Sequence, residues 1–81
     1  MPLAFEEGIV RFEGHCLVEE ALALVDCFKT SPLPIVHLDR CLSMHAALLQ
    51  VLASARPEIA TLPEGRALAA VVQRIVGEVA R

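Results

Sequence analysis

The chain has 81 residues, 56% of them hydrophobic and 21% charged, and a formal net charge of −3 at pH 7. That length admits one domain, residues 1–81, and excludes a second. The basic residues Arg11, Lys29, Arg40, Arg56, Arg66, Arg74 and Arg81 are scattered, and three Phe without Trp or Tyr offer no stacking platform, so nucleic acid is excluded as a partner.

Apolar runs are broken by Glu, Asp, Arg or Gln before they reach membrane-spanning length, and MPLAFEEG has neither the basic nor the apolar region of a secretion signal. The expectation is a soluble cytoplasmic protein with no membrane contact. So large an apolar share under so little charge also leaves apolar surface on a monomer, which favours a homodimer or a protein partner.

Leu3, Phe5, Ile9, Val10 and Phe12 flank Glu6-Glu7-Gly8, the pattern of a β-hairpin with Gly where positive φ is needed; Gly14 is expected to end the second strand. Residues 17–29 read as a helix with Leu17, Ala21, Leu24, Val25 and Phe28 buried and Glu19, Glu20, Asp26 and Lys29 solvated. Two prolines, Pro32 and Pro34, stop it. Ile35, Val36 and Leu38 then form a strand expected to be covered on both faces, as parallel strands beneath helices are.

Asp39 and Arg40 break that run. They are expected to open a turn, in which Asp39 accepts hydrogen bonds from turn amides and Ser43 caps a helix over residues 43–56. Met44, Ala47, Leu48, Val51, Leu52 and Ala55 give that helix its apolar face, and Pro57 closes it near Arg56. Residues 58–62 form a short strand. Thr61-x-x-Glu64 has capping-box spacing for a last helix over residues 63–79, with Leu68, Val72, Ile75, Val76 and Val79 buried and Arg66, Gln73, Arg74 and Glu78 wet. The expected fold is α/β: a small single-layer mixed sheet of about four strands with helices packed on it, in the order β-β-α-β-α-β-α, with right-handed crossovers.

The densest cluster of reactive side chains is His37, Asp39, Cys41, Ser43 and His45. With His15 and Cys16 it holds enough nitrogen and sulfur donors for one zinc, but the spacing follows no zinc-finger pattern; the plainer reading makes these histidines polar residues at strand and helix ends. Cys41 and His45 are the residue types of a thiol nucleophile and its base, without an oxyanion-hole glycine; otherwise Cys41 is a small buried hydrophobe. Cys16, Cys27 and Cys41 fit no disulfide framework and are expected as reduced thiols. No catalytic residue, metal or cofactor is assigned, and the chain is expected not to be an enzyme. The alternative is a small metal- or thiol-dependent site using Cys16, Cys41, His37 and His45. A third reading is a structural subunit buried in a larger complex.

The strand, turn and apolar helix of residues 35–52, with the hairpin before them and a helix after Gly14, resemble the STAS domain, the fold of bacterial anti-sigma factor antagonists. In that family a strand ending in a Leu-Asp type pair leads to an Asp-Ser-Ser/Thr-Gly-Leu motif that opens the next helix and carries the phosphorylated hydroxyl. Leu38-Asp39 matches the first part, whereas His45-Ala46-Ala47-Leu48-Leu49 occupies the place of the motif without a phosphoacceptor. The resemblance implies a non-enzymatic interaction module in bacterial regulatory signalling, whose partner is a sensor kinase or anti-sigma factor. Its partner-binding residues would be Asp39, Arg40, Ser43, His45, Ala46 and Ala47, with Ser43 the one hydroxyl left as a candidate phosphosite.

Overall fold

The computed structural model describes residues 3–29 and 33–76 and has the expected α/β class and element order. Strand β1 (Leu3–Glu6) is followed by β2 (Ile9–Cys16), a 3-10 turn (Val18–Glu20), α1 (Ala21–Cys27), β3 (Ile35–Met44), α2 (Ala46–Ala55), β4 (Ile59–Thr61) and α3 (Arg66–Val76). One mixed sheet runs in the order β1-β2-β3-β4, with β1 antiparallel to β2 and the other neighbours parallel. The expected link at residues 30–32, and Glu78 and Val79 of the expected last helix, lie outside the described residues.

Gly8 turns the hairpin with φ +75°, and its carbonyl accepts the Ile35 amide at 2.9 Å, which fixes where β3 starts. Gly14 does not end β2. It adopts φ +68° inside the strand, next to a register slip, and β2 continues to Cys16.

Two slips make β3 longer than the sequence suggests. Arg11 and Glu13 of β2 pair with His37 and Arg40 of β3, and Gly14 and His15 pair with Cys41 and Ser43, so each slip gives β3 one extra residue. The turn expected at Asp39 is therefore strand, which runs unbroken to Met44. Polar side chains are tolerated there because only one sheet face is covered.

That one-sidedness corrects the expectation of a strand covered on both faces. Val10, Phe12, Val36, Leu38, Cys41 and Ile59 face one side and form a single core with Leu24, Leu48, Leu49, Leu52, Val72 and Val76 from the helices. The next positions along β2 and β3, Arg11 and His37, pair on the other face, and a register shift in β4 sets Thr61 beside His37. Strands β2, β3 and β4 are added in sequence order, so the crossovers through α1 and α2, right-handed as such connections are, put both helices on one side, where α3 packs against α2.

The helices start later than periodicity suggested. Residues 17–20 are not α-helical, and Leu17 and Val25 are exposed, whereas Leu24 is buried. Helix α3 starts at Arg66, and Ile75 is exposed. Thr61 does not cap α3, because its hydroxyl accepts the amides of Leu38 and Asp39 at 3.0 and 3.2 Å and donates to Asp39 Oδ1 at 3.1 Å. Helix α2 stops where Pro57 requires, with Arg56 at φ 52° and its amide on the Leu52 carbonyl at 2.8 Å.

Candidate functional site at the β3–α2 corner

The C-terminal ends of parallel strands beside a helix N-terminus are where α/β domains commonly place their sites. Here β3 passes into α2 through one residue. His45, at φ −62° and ψ 145°, donates its amide to the Cys16 carbonyl at 2.9 Å, as a last rung of the parallel ladder. Its Nδ1 accepts the Ala47 amide at 3.0 Å. His45, not Ser43, is thus the N-cap of α2, and the helix begins at Ala46.

Ser43 lies two residues upstream, in the strand, opposite His15. Its Oγ is 2.7 Å from His15 Nδ1, and both side chains are exposed. Sequence reasoning used His15 only as a potential metal donor and missed this pair; the register that sets the two residues opposite each other depends on both β3 slips, which leave no mark in composition or spacing. A serine hydroxyl against an imidazole is the first half of a nucleophile and base arrangement. Among the described residues no carboxylate orients the imidazole, so the contact reads as a polar clasp between strand ends.

The other candidate residues spread along the strand. Asp39 lies mid-strand and accepts from the Thr61 hydroxyl rather than from turn amides, so it faces β4. Arg40 extends the other way, to Glu13 at 3.8 Å, an exposed pair worth less than about 1 kcal/mol. Ala46 is exposed at the helix tip and Ala47 is half-buried. Ser43, His45 and Ala46 thus mark an outward-facing corner, and Asp39 and Arg40 are exposed further back along β3.

Beneath the corner are two thiols. Cys16 and Cys41 are buried, as expected for Cys41, with sulfurs 4.0 Å apart. Cys41 is 3.3 Å from the Ser43 carbonyl, to which it donates. The contact between the two sulfurs lowers the pKa of Cys16 against the opposing pull of burial, while the same contact and burial push Cys41 up. Burial also raises Cys27. His37 projects from the opposite sheet face and His45 Nδ1 is occupied by its cap, so Cys16, Cys41, His37 and His45 do not converge. Among the described residues no group of three or more His, Cys, Asp or Glu is placed to hold a metal ion, and no described helix is long and apolar enough to cross a membrane. Comparison of the chain with protein-family models, with curated proteins and with solved structures found no match in any of the three.

Proposed function

We propose that this chain is a non-enzymatic interaction module of STAS type, which acts in the bacterial cytoplasm by docking a regulatory protein, a sensor kinase or anti-sigma factor, on the β3–α2 corner. The observation that carries the reading is the direct passage of β3 into α2 at His45, which leaves Ser43, His45 and Ala46 exposed around a helix tip, with Arg40 exposed further back on the strand. The amides of that tip and the positive end of the helix dipole favour an acidic or phosphorylated contact.

With Ala46 and Ala47 in place of a phosphoacceptor, the partner reads an uncharged helix start and docking is not switched at the helix tip itself. Ser43 is the remaining switch: a phosphate there would set a dianion beside His15, whose ring nitrogen already reaches the hydroxyl. The test is a photo-reactive residue at Ala46 in cells, with Ala4, on the uncovered sheet face, as the control position. Support is a crosslink from position 46 alone to a protein with a kinase domain of the anti-sigma type. Equal capture from both positions, or none from 46, overturns the reading. Incubation of the purified chain with such a kinase adds one phosphate at Ser43 if the switch operates, and none if docking is unregulated.

A further inference from the structure

The three helices form one layer, with α2 packed against both α1 and α3, and its charge is partitioned. From Val18 to Cys27 the first helical segment carries Glu19, Glu20 and Asp26 and no basic residue; α2 carries no charge; α3 carries Arg66 and Arg74 and no acidic residue. Both outer helices also leave apolar side chains in water. Val18, Leu22 and Val25 follow one another at helical spacing, with Leu22 79% exposed, and Val71 and Ile75 lie one turn apart on α3. Between α1 and α2 runs a groove of about 410 Å³, lined in part by Val25, Phe28, Ala47 and Val51. The exposed positions of α2, Ala46, Gln50 and Ser54, are uncharged and of modest size.

We propose that this layer is a self-association face, on which a second copy of the chain docks with its basic α3 over the acidic α1 of the first. A two-fold axis in the plane between two such layers, parallel to α2, carries α1 of each copy onto α3 of the other and α2 onto α2. Every contact is then made twice and the assembly closes as a dimer. Glu19 and Glu20 meet Arg66 of the partner copy, and Arg74, about 12 Å further along α3, faces Asp26. Asp26 already pairs with Lys29 at 3.5 Å, an exposed contact that exchange of partners loses cheaply. Leu22 becomes covered, and Val71 and Ile75 reach the α1–α2 groove. The two longer extents of the molecule, 30 and 27 Å, frame a face large enough for the ~800 Å² that an ordinary interface buries per partner. The proposal does not rest on the docking reading: Arg40 and Ser43 lie on the strands, off this layer, so their variants leave the dimer intact.

The test is the solution mass of the full chain by sedimentation equilibrium, with circular dichroism to confirm that each variant folds. The wild type is expected as a dimer, and Leu22→Asp, at an exposed position, raises its dissociation constant roughly 100-fold. Two further variants separate this arrangement from α1 pairing with α1. Glu19→Arg with Glu20→Arg makes both outer helices basic, and Arg66→Glu with Arg74→Glu makes both acidic. Each is expected to be monomeric alone, and an equimolar mixture is expected to form a heterodimer. A monomeric wild type, an open series of larger assemblies, an L22D variant that still dimerises, or a mixture that stays monomeric would overturn the proposal.

Discussion

His45 performs three tasks in the space of one residue: it ends the parallel ladder through its amide, turns the chain, and caps α2 through its ring. Removing the ring leaves the Ala47 amide without its acceptor. His45→Ala is therefore expected to lower stability by about 1 kcal/mol and His45→Asn to retain most of it, as read from urea midpoints; equal midpoints for wild type and His45→Ala would dismiss the cap. The buried thiols make a second prediction at this scale. Cys41 and Cys27 are both raised above the ordinary 9.0, so above that pH the unfolded chain releases protons that the folded chain retains. Their contribution is complete below pH 9 and is lost as pH rises further. The lowered Cys16 acts in the opposite sense, because its unfolded thiol keeps the proton to higher pH than the folded one, so it offsets part of the fall near pH 9. With no Tyr in the chain and Lys29 its one lysine, denaturant midpoints are expected to fall from pH 8.5 to 10.5, and less so in Cys41→Ala. A flat profile would contradict the burial of these thiols.

At the scale of elements, what the sequence made legible was whatever depends on local chemistry. Gly8 marks the hairpin because a tight turn needs positive φ, and Pro57 ends α2 because it denies helical geometry to Arg56. The cost of that ending is visible, since Arg56 sits in the left-handed region at φ 52°. Such a residue pays roughly 1–2 kcal/mol, and the greater freedom of glycine in the unfolded chain returns part of it. Arg56→Gly is thus expected to stabilise the protein by up to about 1 kcal/mol, and destabilisation in thermal or urea melts would show that Arg56 has a role beyond its backbone. What was not legible depends on partners distant in sequence. Asp39 and Arg40 look like a turn because polar pairs usually end strands; here they remain extended because the sheet face they meet is uncovered and β3 absorbs two slips against β2. Thr61 has capping-box spacing, yet its hydroxyl serves Leu38 and Asp39 across the sheet. The Ser43–His15 contact was hidden for the same reason.

On the scale of the whole molecule, the decisive feature is the sheet with helices on one side. Order and class followed from the alternation of strand and helix patterns, but the side of α1 and α2 followed from strand order, which no single segment encodes. One-sided covering leaves the polar residues of β2 and β3 accessible, sets an acidic and a basic helix on either side of an uncharged one, and exposes Leu22 where an 81-residue core has no further room. The β3–α2 corner stands at the end of that layer, and its use for docking requires an ordered strand up to the helix tip. Amide hydrogen exchange at His45 tests this most directly. Bonded to the Cys16 carbonyl at 2.9 Å, this amide is expected to exchange orders of magnitude more slowly than a free peptide and together with the β3 amides; exchange near the free-peptide rate would mean that residues 39–45 form a loop, and the corner would not exist as a surface.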